Sequence, residues 1–148
     1  MKNNRKSHQT GVALVEFALV LPLLLVLSLI TAELGRGVYR YNCAAKAVRD
    51  AVRYLSVQTP GTHVGEARNL IVYGKVNLSA GDLPLDSALT AANIPAPTWQ
   101  SAGSDPVINT VTIRVSGYQF RPMIANMFGA RFAAYTFNDI SATMRSPI

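Results

Sequence analysis

Glu16 is the residue whose chemistry most needs an explanation. It is the single charge in VALVEFALVLPLLLVLSLITA, positions 12–32, where every other residue is apolar, Ser, Thr or Pro. An acidic side chain at mid-bilayer depth costs about 2.5–3.5 kcal/mol on insertion scales, and less near the interface. It therefore calls for a partner, a function, or a carboxylate that snorkels to the interface. Simple chemistry supplies a partner. A cut after Gly11 leaves a free α-amine on Val12, one helical turn from the Glu16 carboxylate. In a helical stack of subunits that carboxylate pairs with the terminal amine of a neighbour, which compensates two charges where there is no water.

The other chemistry-bearing residues do not converge. His8 lies in the polar leader, and His63 stands in a turn with no Cys or second His near it, whereas metal sites come as clusters. Asp82, Asp86 and Asp105 fall among Pro and Gly, where Asp is a routine turn residue, at spacings unlike those of an EF-hand loop. There is no phosphate-cradling Gly-Lys-Ser/Thr loop and no Gly-x-Ser-x-Gly elbow. The Asn77-Leu78-Ser79 sequon matches by pattern only. Cys43, the only cysteine, cannot close a loop within the chain. It reads as an unpaired thiol against a neighbour or, less readily, as half of an intermolecular disulfide. Catalysis, a cofactor and a metal are accordingly not expected.

These residues belong to a chain of 148 with net charge +6, only 15% charged and 49% hydrophobic. That is room for one domain with an appendage, and the apolar content excludes disorder for the bulk of the chain. Three cations (Lys2, Arg5, Lys6) precede residue 12, and no later stretch is a dense basic run, so nucleic acid is not an expected partner. The 21 residues of 12–32 make about 30 Å of helix, the thickness of the hydrocarbon core of a bilayer. The remaining residues form too small a domain to bury such a helix on all sides. As a signal peptide the stretch is overlong, and Ile30-Thr31-Ala32 puts a bulky Ile where cleavage wants a small residue. As a plain anchor its orientation is ambiguous, because Arg36, Arg40, Lys46, Arg49 and Arg53 follow it as closely as the leader cations precede it.

The run GVALVEFALVLPLLL at 11–25 resembles the N-terminus of the TadE-like pseudopilins, minor pilins of the tight-adherence (Tad, or Flp) pilus system and a branch of the type IV pilin-like proteins. Glu33-Leu34-Gly35-Arg36 and residues 42–56 are similar to the second half of that family's long helix. Residues 111–122 and 141–145 resemble its later blocks more loosely. The resemblance implies cleavage between Gly11 and Val12 by a membrane prepilin peptidase, and Glu16 matches the family glutamate five residues into the mature chain. It further implies a single-pass protein of the bacterial inner membrane, cytoplasmic at its N-terminus and periplasmic after about residue 33. Its partners would be the prepilin peptidase, other pilins and pseudopilins of the system, and the inner-membrane assembly platform. The alternative function is an uncleaved single-pass protein whose periplasmic domain binds a ligand through loops in 77–106; a soluble domain released near Ala32 is a weaker one.

The elements that must position these residues follow from periodicity. Leu34, Val38, Tyr41, Ala45, Val48, Val52 and Leu55 recur at spacings of three and four, with Arg36, Arg40, Lys46, Asp50 and Arg53 on or near the opposite side. The membrane segment thus runs on into an amphipathic helix ending near Val57, where Thr59-Pro60-Gly61 stops it. Gly35 and Gly37 mark either fraying at the membrane surface or a hinge or close-approach point between packed subunits. A short helix is expected over 66–73 with Gly74 as its stop, then a loop-rich stretch over 77–106 with a strand near 98–101. Strands are expected over 111–115, starting as early as Val107, and over 135–145, joined by a connector at 122–129 with a helical turn. The expected fold is α+β and pilin-like: a long N-terminal helix packed on a small antiparallel sheet with a short helix. Its divisions are a leader at 1–11, the membrane half of the helix at 12–32, its amphipathic half at 33–57 and an extracytoplasmic domain at 58–148.

Overall fold

The computed structural model describes residues 7–147 except 124, 125, 128, 129 and 132. Leader residues 1–6, with Lys2, Arg5 and Lys6, lie outside the described residues, as do four positions of the connector expected at 122–129.

One helix, α1 (Ser7–Ser56), runs for 50 residues, about 75 Å at 1.5 Å per residue. It begins five residues before the expected start, because nothing between Ser7 and Gly11 interrupts it. Pro22 lies inside it without ending it, so the Ala18 carbonyl loses its usual i+4 donor. From residue 11 to residue 36 no side chain is buried, and Gly37 is the first residue after them that is. The helix ends after Ser56, where the Gln58 N–H turns back to the Leu55 carbonyl at 3.1 Å.

The head is built on the last five turns of α1. Helix α2 (Val64–Tyr73) buries Ala67, Ile71 and Val72, and Gly74 closes it in the left-handed conformation at φ 71° with its N–H on the Leu70 carbonyl, a conformation glycine adopts without Cβ strain. After a 3-10 turn (Ala91–Asn93) come β1 (Thr98–Ala102) and β2 (Ile108–Val115). With β7 (Ile140–Ser146) they form an antiparallel sheet in the order β1-β2-β7. Central strand β2 alternates as its sequence does. Val111, Ile113 and Val115 face α1 and are 1% exposed or less, while Thr112 and Thr143 meet on the outer face, oxygen to oxygen, at 2.7 Å. The core that results holds Ala44, Val48, Ala51, Val52 and Leu55 of α1 against Ile71 of α2 and the inner side chains of β2. Ser146 at the end of β7 donates its hydroxyl to the Ser56 carbonyl at 3.1 Å, satisfying one of the orphan acceptors at the helix C-terminus.

Three expectations need correction. The buried stripe of α1 is Gly37, Ala44, Ala47, Val48, Ala51, Val52 and Leu55; Leu34 and Val38 stay 59% and 61% exposed. Arg36 and Arg40 lie on the head side of the helix, not opposite it, with their guanidinium carbons 5.2 and 5.7 Å from the centre of the Phe120 ring. The strand expected over 135–145 is broken. β6 (Tyr135–Thr136) pairs with β3 (Gln119–Phe120), and only after residues 137–139 does β7 begin. The cause is Phe137, whose N–H is drawn to the Tyr118 carbonyl at 2.8 Å while its ring packs between Tyr41 and Tyr118, at 5.4 and 5.0 Å between centroids. In the connector, β4 (Asn126–Met127) pairs antiparallel with β5 (Ala130–Arg131), and the helical turn expected within 122–129 falls in part outside the described residues.

Candidate functional site: the exposed apolar half of the long helix

The α1 backbone carries Gly11, Val12 and Glu16 on one uninterrupted helix. All three are exposed. A Cβ built on Gly11 meets nothing within 4 Å, so the fold itself makes no demand for glycine there, although glycine costs up to about 1 kcal/mol against alanine inside a helix. None of the four ion pairs among the described residues uses Glu16. Around them Val12, Leu14, Phe17 and Leu19 are 58–75% exposed. The helix from Gly11 onward is long and apolar enough to cross a membrane, and its most apolar window is covered by no other part of the chain. Apolar side chains in such numbers are stable only in lipid or against other apolar helices.

Further along α1, Cys43 is an exposed free thiol on the rim of a groove of ≈ 320 Å³ between α1, α2 and the loop at 85–89. Contact with Cys43 is the main cause that raises the Tyr39 phenol above its ordinary pKa. The groove is organised by a residue that sequence reasoning treated as an ordinary turn residue, Asp86. Its carboxylate accepts from the Tyr118 hydroxyl at 2.6 Å and the Ala88 N–H at 2.9 Å, and lies 3.3 Å from Arg40. Burial, followed by this bond to Asp86, pushes the Tyr118 phenol well above the usual tyrosine range. No local sequence pattern signals that cluster, since Arg40, Asp86 and Tyr118 meet only in the fold. Asp82 does behave as a turn residue: it accepts the Ser79 N–H at 2.7 Å, and its bond to Lys75 holds its carboxyl below the usual range. His63 lies exposed with Nδ1 at 3.0 Å from the Thr62 hydroxyl. Among the described residues no three His, Cys, Asp or Glu side chains gather as a metal site would require.

Glu33 and Arg36, the acid–base pair just above the apolar run, acquire a definite place. Arg36 Nη2 is 2.6 Å from Glu33 Oε2 and donates to the Arg121 carbonyl at 3.2 Å, while Glu33 Oε1 accepts the Met123 N–H at 3.2 Å. The pair latches the lobe formed by β3 and its neighbours onto α1.

A bare apolar helix continuing into the spine of a small α+β head is the architecture of a membrane-anchored, pilin-like protein. Residues 11–53 match the family described as TadE-like protein, so this segment of the chain is TadE-like, in agreement with the resemblance seen in its sequence. The match takes in Gly11, Val12, Glu16 and Cys43 and ends before α2; the looser likenesses at 111–122 and 141–145 lie outside it. A search of curated proteins and one of solved structures each find no match.

Proposed function

We propose that this protein is a minor pilin, or pseudopilin, of a Tad/Flp-type adhesive pilus, made as a precursor and cut between Gly11 and Val12 by a prepilin peptidase. Its N-terminus lies in the cytoplasm and its head in the periplasm of a bacterial cell. Residues 12–32 hold it in the inner membrane until it joins other pilins of the system through α1, either in the fibre or at its base on the assembly platform. The supporting observation is the apolar half of α1, which lies in the TadE-like segment and carries exposed side chains with a single acid among them. In this reading the Val12 amine created by the cut pairs with Glu16 of a neighbouring subunit, and each charge removes the other's desolvation cost. Gly11 suits the peptidase rather than the fold, which has room for a side chain there. Cys43 is placed where a neighbouring helix could reach it, as an unpaired contact or an intermolecular disulfide.

The test is Glu16→Ala in cells that carry the whole pilus system. The variant is expected to enter the membrane as the wild type does, because removing a charge eases insertion, and to lose co-purification of partner pilins from detergent. Unchanged recovery of the partners would remove the role given to Glu16.

A further inference from the structure

The lobe that Glu33 and Arg36 hold against α1 sits low on the helix. Ile30, inside the apolar run, and Leu34 line one shallow pocket of ≈ 240 Å³ together with Phe120, Pro122, Arg131 and Tyr135. Head residues therefore reach down beside the last turn of the segment that fills the hydrocarbon core. A helix rises 1.5 Å per residue, so Ile30 lies only about 3 Å below Ala32, the end of the apolar run. Whatever touches Ile30 is at the boundary between the acyl chains and the lipid headgroups. The lobe is chemically suited to that level. Met123 is 79% exposed, Tyr135 42%, and Arg121 and Arg131 are both exposed. None of the four ion pairs among the described residues uses either arginine. Glu33, the carboxylate that bonds to the lobe, is occupied by Arg36 and the Met123 N–H. From position 119 to position 136 the sequence has two arginines and neither Asp nor Glu.

We propose that this lobe is a second membrane-contact element, resting on the bilayer surface beside α1 with Met123 among the upper acyl chains and Arg121 and Arg131 on the phosphates of anionic phospholipids. The charge is complementary, arginine matches phosphate geometry, and the lobe adjoins the apolar run, lining one pocket with Ile30. Two contacts with the bilayer, helix and lobe, fix the tilt and rotation of the head, which a single helix leaves free. The inference rests on membrane anchoring by α1 and on neither cleavage nor pilus assembly.

The experiment uses the full chain with Cys43→Ser, carrying one nitroxide on either Met123→Cys or Leu24→Cys, in phosphatidylcholine vesicles with and without phosphatidylglycerol. Accessibility to oxygen, which concentrates in lipid, is compared with accessibility to a water-soluble nickel chelate. Both labels are expected to favour oxygen in the anionic vesicles. Arg121→Gln with Arg131→Gln should shift the label at 123 towards nickel and leave the label at 24 unmoved. The expected loss is about fivefold per arginine in the docked-to-free ratio, from roughly 1 kcal/mol per basic residue at an anionic surface. A label at 123 open to nickel while that at 24 is not would overturn the proposal alone. So would a label shielded from both reagents and broadened by a second copy, which makes the lobe a subunit interface. A label at 24 open to nickel would overturn membrane anchoring and the proposal together.

Discussion

At the residue scale, Asp86 and Tyr118 join the 85–89 loop to the sheet and to α1. The bond runs from a buried phenol to a half-buried carboxylate that Arg40 also approaches. Tyr118→Phe removes it and is expected to lower head stability by about 1.5–3 kcal/mol, the usual range for hydrogen bonds to a charged group, read by chemical denaturation in detergent. A linked effect of pH follows. The folded phenol has its pKa raised, so its contribution is full below the ordinary tyrosine pKa and is lost as pH rises through the raised folded value. In an alkaline absorbance titration one of the 6 tyrosines should ionise last, together with unfolding, and be missing from Tyr118→Phe. Glu16 was visible in the sequence because a lone acid in an apolar run contradicts its surroundings. Asp86 was not, because an Asp near prolines and glycines reads the same whether it caps a turn or anchors a cluster across the fold.

At the element scale, the two glycines of α1 separate. Gly37 is buried, and a Cβ there would run into the Tyr135 hydroxyl and touch the Phe120 ring at ordinary contact distance, whereas one at Gly35 meets nothing within 4 Å. From the sequence the two glycines mark either fraying or a hinge or close approach between packed subunits; at Gly37 the fold has a close approach within one chain, between α1 and the lobe. Gly37→Ala should therefore cost about 1–3 kcal/mol by over-packing. Gly35→Ala should stabilise the isolated subunit by up to about 1 kcal/mol, the helix-propensity difference. Thermal unfolding of both variants in detergent checks the pair, and the reverse order would show that the lobe does not pack here. The helical period gave the upper α1 stripe correctly from Val48 to Leu55. It failed at Leu34 and Val38 because periodicity reports only that apolar residues share a face, not that a partner covers it; Val38 is left exposed, and Leu34 only lines a shallow pocket under the lobe. It misassigned Arg36 and Arg40 because their charge suggested solvent, while in the fold their stems and guanidiniums cover Phe120. Strand β2 was legible from its alternation. The break before β7 was not, because the pull of Tyr118 and Tyr41 on Phe137 is a long-range effect.

At the scale of the whole molecule, the sequence divides as its hydropathy does: a bare half-helix and a head whose core is complete without it. In the proposed role, such a division would let the same subunit be stored in a bilayer and transferred to a helical stack, since lipid and neighbouring helices can cover the same side chains. The central claim is that this transfer begins with a cut that turns Val12 into the N-terminus. The most direct test is the mass and N-terminal sequence of the protein taken from membranes, with and without the prepilin peptidase. The account expects a chain starting at Val12 only when the peptidase is present, and the Met1 precursor otherwise. An intact Met1 in cells that assemble functional pili with the peptidase present would contradict it. The chain would then be an uncleaved anchored domain, and the groove at Asp86 would be the place to look for what it binds.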